Sequence, residues 1–275
     1  MTNLIKRYLP LFLSLIILFN FNPSFASDFN DDLREIRAEI NRDNLQEAIK
    51  KIKKIKISNE NEQEKIDLLF GDIYFKINQI DKAEEFYQKN FFTSNEEIET
   101  LTFIGLAEVS LAQGKLDSAI KYAEQSIKIN PNKVRSKIIL AIAKTRLGES
   151  EEGFDILNEL YLNRKDADVA LAISGYFSSF DETKKAIDIL EEMKRDFLEI
   201  ESILNVKGFG KKSITRGKWS QWQKAYPELV NSLVYIYRKN NKLSDAEIIL
   251  SDWVSRNPND TNAKDILTQI RSGNN

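Results

Sequence analysis

Apolar residues return at three- and four-residue spacing along most of the chain. The segment EKIDLLFGDIYFKINQIDKAEEFYQKNFFTSNEE, residues 64–97, reads as two amphipathic helices about a short turn, each burying one face. So does TLTFIGLAEVSLAQGKLDSAIKYAEQSIKINPNK, residues 100–133. The turns agree with this division. Gly114 and Gly148 stand where a first helix ends and a left-handed residue is wanted, and Asn78 and Asn241 hold the same place. Asp117 and Asp245 fall in the first turn of the second helix, where a negative charge suits the helix dipole. Units of the same form follow at 134–167, 167–200 and 227–260. A degenerate helix pair over 27–62, centred on Ala48, precedes them without a good first-helix pattern. A closing helix is expected from Thr261 to about Ile270, as arrays of this kind need a capping element.

Small residues mark the helix crossings. Gly71 and Ala83, Ala107 and Ala119, and Ala141 and Gly153 are expected to face one another where two helices approach most closely. Ala48, Ala83, Ala119, Gly153, Ala186 and Ala246 recur at spacings of 35, 36, 34, 33 and 60 residues. Bulky residues hold the other signature positions, among them Phe70, Tyr74, Tyr87, Leu106, Leu140, Phe177, Tyr237 and Trp253, with Pro131 and Pro258 near the unit ends. This pattern resembles the tetratricopeptide repeat over about 200 residues. Val234 departs from it, standing where a small residue is expected. The resemblance implies an all-α fold, a right-handed superhelical array of antiparallel helix pairs, with four repeats over 64–200 and a fifth, with its capping helix, over 227–275.

The family lines a concave groove with first-helix residues and binds peptides or partner helices there. The matching positions are Lys65, Leu68, Asp72, Phe75 and Lys76, then Leu101, Ile104, Glu108, Leu111 and Ala112. Arg135, Ile138, Ile142, Thr145 and Arg146 follow, with Glu228, Asn231, Tyr235, Arg238 and Lys239 in the last unit. The family's chaperone-binding members clamp a peptide carboxylate with Lys and Asn, where this chain has Leu68 and Asp72, then Ile104 and Glu108; that clamp is absent. The groove is expected to be apolar at its centre with scattered charge, suited to a helix or an extended apolar segment.

The 60-residue gap leaves 26 residues, 201–226, beyond one repeat. This excess contains KGFGKKSITRGKWSQWQKAY, residues 207–226, with Lys211, Lys212, Arg216 and Lys218 beside Trp219 and Trp222. It is not a phosphate loop: Asn205 and Lys212 stand where that motif needs Gly and Ser or Thr, and no strand precedes it. The helix before it is expected to run to about Val206 and the next to resume near Trp219. Either Trp219 and Trp222 close the hydrophobic seam between repeats, or the segment is a binding insertion for an acidic protein segment, an anionic polysaccharide or lipid head groups.

Composition narrows the chemistry. The net charge is −2, so no basic field points to nucleic acid. Residues 1–26 carry Lys6 and Arg7, an apolar run from Leu9 to Phe21, and Ser24-Phe25-Ala26, the pattern of a signal peptide cleaved after Ala26. Loss of those two cations would take the net charge from −2 to −4. The chain has no Cys and no His, which excludes disulfides, Ser-His and Cys-His nucleophilic pairs and the usual zinc sites. No catalytic residue, metal site or cofactor is expected. The sequence therefore predicts an exported, non-enzymatic scaffold, periplasmic or secreted, that binds a protein partner in the groove. A membrane-associated partner is compatible with this. A glycan-binding or glycan-processing envelope protein using Trp219 and Trp222 is the alternative.

Overall fold

The computed structural model describes residues 28–164, 166–205 and 213–273, with the backbone alone for 202–205 and 213–224. The expected signal sequence lies outside them. Thirteen α-helices occupy the described residues, and no β-strand occurs among them. The chain divides into two compact units, residues 1–58 and 59–275.

In the first unit, α1 (Phe29–Asn41) packs on α2 (Leu45–Ile52). The Asp28 side chain caps α1 by accepting from the Asn30 amide. Leu33, Ile36 and Ile40 form the buried stripe of α1, and Ala48 and Ile52 that of α2.

The second unit holds five helix pairs and a closing helix. The pairs are α3 (Glu60–Lys76) with α4 (Ile80–Lys89), α5 (Glu96–Ala112) with α6 (Leu116–Ile129), and α7 (Val134–Leu147) with α8 (Ser150–Arg164). They continue with α9 (Ala167–Ser179) and α10 (Thr183–Asn205), then α11 (Ser213–Lys239) and α12 (Leu243–Arg256), before α13 (Thr261–Ser272). First helices also pack on one another in chain order, α3 on α5, α5 on α7, α7 on α9 and α9 on α11, so they form one continuous layer.

The turn inside each pair needs one residue in the left-handed region. Asn78, Gly114, Gly148, Asp181 and Asn241 supply it in the second unit, and Asp43 in the first, with φ between 56° and 102°. Glycine and asparagine were the expected residues; Asp43 and Asp181 fill the remaining turns because a short polar side chain tolerates this conformation.

Helix crossings explain the small residues in two ways. Ala48, Ala83, Ala119, Ala186 and Ala246 are fully buried. A Cβ on Gly153 would come within 2.7 Å of the Ala141 carbonyl, so α7 and α8 touch through glycine. Gly71 makes room for something other than Ala83. Its absent Cβ leaves space for the ring of Tyr87, whose Cε1 would lie 2.5 Å away, and Gly105 does the same from α5, also at 2.5 Å. The Tyr87 ring is thus slotted between α3 and α5.

The excess segment extends two helices. α10 runs on to Asn205, and α11 begins at Ser213 rather than near Trp219, passing through Pro227. A proline inside a helix has no N–H to donate, so the turn around Pro227 lacks one backbone bond. Packing retains the helix: Ala225, Tyr226, Leu229, Val230 and Leu233 are all buried in one core with Leu190, Met193 and Phe197 of α10. Tyr226 stacks on Phe197 with ring centroids 3.9 Å apart. α9 still packs directly on α11, so the extra residues do not interrupt the first-helix layer.

A candidate groove on the first-helix layer

Three residues expected to line the groove are core instead. Leu68, Ile104 and Ile138 are buried in the core clusters of their own units, whereas Asn231, at the same position of the last unit, is exposed. Asp72, Lys76, Arg135 and Arg146 are exposed, while Lys65, Phe75, Glu108 and Ile142 are half-buried.

Over α3, α5 and α7 the polar groups satisfy one another. The Tyr87 hydroxyl, having passed between α3 and α5, donates to Asp72 Oδ1 at 2.8 Å. Burial raises this phenol far above its usual range, and the Asp72 carboxylate adds to the effect. Arg135 Nε donates to Glu108 Oε1 at 2.5 Å. The Arg135 side chain keeps an exposed face, and the partial desolvation of its guanidinium opposes the charge, yet Glu108, with Asp168 and Glu228 beyond it, holds the group above its ordinary value.

Over α7, α9 and α11 the layer opens. A cavity of about 560 Å³ lies between α9 and α11, walled by Ser174, Ser178, Asn231, Ser232, Tyr235 and Lys239. A second, of about 320 Å³, lies between α7 and α9, walled by Ile142, Arg146, Leu157, Ala172 and Tyr176. Leu171, Gly175 and Ser179 line both, so the two adjoin on either side of α9. Gly175 is exposed, and a Cβ built there would meet nothing within 4 Å. Ile142, Thr145, Arg146, Asn231, Tyr235 and Lys239 were expected on the groove and lie here; Arg238 is half-buried and lines neither cavity. Leu171, Gly175, Ser178 and Ser179 were missed. They occupy, in the 167–200 unit, the positions carried onto four other stretches, so the same periodicity would have found them.

Of the proposed insertion site, Lys211 and Lys212 lie outside the described residues. Arg216, Lys218, Trp219 and Trp222 fall in the first turns of α11, with their side chains outside the description. Among the described residues no three carboxylates are grouped to hold a metal ion, and no helix is long and apolar enough to cross a membrane.

Residues 68–89 and 102–133 match the sequence profile of the tetratricopeptide repeat. Those two stretches resemble the repeat, and the fold is that of tetratricopeptide-repeat arrays. Two solved structures share that fold at low sequence identity. A thermophilic tetratricopeptide-repeat protein of Thermus thermophilus is 14% identical, with a TM-score of 0.54 over 75% of this chain and 98% of that one. A tetratricopeptide repeat protein from Parabacteroides merdae is 12% identical, with a TM-score of 0.60 over 94% of this chain and 89% of that one. No curated protein matches by sequence.

Proposed function

We propose that this chain is an exported, non-enzymatic binding protein of the cell envelope that holds a segment of a partner protein in the groove over α7, α9 and α11. The observation that carries the reading is the pair of adjoining cavities that share Gly175. They form a concave, solvent-open surface lined by residues of three first helices, the kind of depression in which ligands bind. Export rests on the pattern of residues 1–26.

The absence of cysteine allows a direct test. A photo-crosslinker attached to Ser178→Cys should join the chain to its partner. The same reagent on Ile248→Cys, an exposed residue of α12, should not. Equal capture from both positions, or capture from Ile248→Cys alone, refutes the groove. N-terminal sequencing of protein recovered from the envelope fraction should begin at Ser27; an intact leader or recovery from the cytosol refutes export.

A further inference from the structure

The second unit pairs most of the cations at its helix ends. Arg164 of α8 lies against Asp166, and Lys239 of α11 against Asp181. Arg256 of α12 meets Glu201 and Asp252, and Lys144 of α7 sits between Glu149 and Glu152. The first unit does otherwise. Residues 48–59 read AIKKIKKIKISN, with five lysines and no carboxylate.

Two of the five are used inside the unit. Lys51 turns toward α1 and donates to Glu35 Oε2 at 2.8 Å, with Glu39 Oε1 at 3.7 Å. Lys50 donates to Glu47 of its own helix at 3.2 Å, an exposed pair that contributes little. Lys53, Lys54 and Lys56 are exposed and have no ion pair among the described residues. A cation near a helix C-terminus suits the dipole, but the effect fades within the last turn. α2 ends at Ile52 with Lys50 and Lys51 already in that turn, so the dipole does not call for three more. Lys50, Lys53 and Lys54 line a solvent-open depression of about 500 Å³, together with Gln46, Glu47 and Ile49.

Apolar side chains interleave with these cations. Ile52 is buried in the unit, but Ile55 is half-buried and Ile57 is 39% exposed. A soluble polyanion offers partners to the ammonium groups and nothing to isoleucine. A bilayer surface offers both: anionic head groups, and an acyl boundary beneath them.

We infer that the end of α2 and the turn after it dock the first unit reversibly on a membrane carrying anionic lipids. Lys50, Lys53, Lys54 and Lys56 meet head-group phosphates, and Ile57 enters between them. The groove residues all belong to the second unit, so the two surfaces can be tested apart.

Vesicle sedimentation provides the test, with the chain from Ser27 onward so that the apolar run of residues 9–21 is absent. The chain should bind vesicles of phosphatidylglycerol mixed with phosphatidylcholine and not vesicles of phosphatidylcholine alone. A lysine at an anionic surface is worth about fivefold in affinity, so Lys53→Gln, Lys54→Gln and Lys56→Gln together should weaken binding about a hundredfold. The melting temperature should not change, because all three side chains are exposed and unpaired. Binding should fall steeply at about 1 M salt, where screening acts within a few ångström. Ile57→Ser should weaken vesicle binding about threefold and leave binding to soluble polyphosphate unaltered. No binding to the anionic vesicles, equal binding to the neutral ones, or wild-type binding by the triple variant overturns the inference. Vesicle binding that Ile57→Ser does not alter assigns the lysines to anions in general and overturns the choice of a bilayer.

Discussion

The first-helix layer has two halves built from the same repeat, and they end differently. Over α3, α5 and α7, Asp72 accepts from Tyr87 and Glu108 from Arg135. Over α9 and α11, Asn231, Ser178 and Tyr235 are left open around a cavity. One difference lies at a single position on the second helices. In the 64–97 unit it holds Tyr87, whose ring crosses the layer between two glycines and brings a hydroxyl to the groove side. In the units that follow, Ala123, Leu157, Leu190 and Leu250 stand there and carry no polar group. Meanwhile Gly175, Ser178 and Ser179 on α9 are too small to fill the space before them. One scaffold therefore gives a closed half, where polar side chains are used for structure, and an open half, where they are left for an occupant.

The comparison can be broken most forcefully at the slot. Gly105→Leu should destabilise the chain by about 3 kcal/mol, the upper end of ordinary overpacking, because its Cβ collides with the Tyr87 ring. A denaturant midpoint equal to wild type would show that Tyr87 is not held there. Tyr87→Phe keeps the ring and removes the bond to Asp72; about 1 kcal/mol should be lost, and partner binding over α9–α11 should not change. Arg135→Gln breaks a partly exposed pair, so about 0.5 kcal/mol is expected, falling as salt rises. A loss that salt does not reduce would point to packing instead of charge. On the open side Ser178→Ala should alter stability by less than about 0.5 kcal/mol. A loss as large as that of Tyr87→Phe would mean the two halves are not different in kind.

A pH profile sharpens the closed half. Burial raises the Asp67 carboxyl above its ordinary value, against the opposing Gln63 hydrogen bond and the Lys89 charge. The folded chain thus holds this proton more tightly than the unfolded chain. That contribution is complete below the ordinary carboxylate value and is lost as pH rises through the raised one. Asp67→Asn should flatten the fall in stability across that window in urea titrations; an unchanged profile would show that Asp67 does not cause it.

Much of the fold was legible because helix pairing is a local, periodic property. The apolar stripe, the turn residues and the buried alanines all repeat in the chain, and each has a short-range physical cause. The left-handed residues of two expected helix pairs, Asp43 and Asp181, were not marked, because aspartate is a weaker signal for this conformation than glycine or asparagine. The start of α11 was expected near Trp219 and lies at Ser213, because the stretch up to Gly217 reads as loop when local propensity alone is weighed. The helix then runs through Pro227, where burial of Tyr226 and its neighbours against α10 holds it.

The site was only partly legible. Ile142, Arg146 and Tyr235 could be marked from their place in the repeat, but Leu68, Ile104 and Ile138 hold places in that pattern too and turned out buried. By itself the sequence determined the helices, their pairing and the turns between them, since these follow from spacing within one or two turns of chain. Only the tertiary structure decided which first-helix residues face a neighbour and which face open space. That depends on the size of side chains arriving from other helices: a tyrosine closes one half of the layer, and the small residues of α9 leave the other half open.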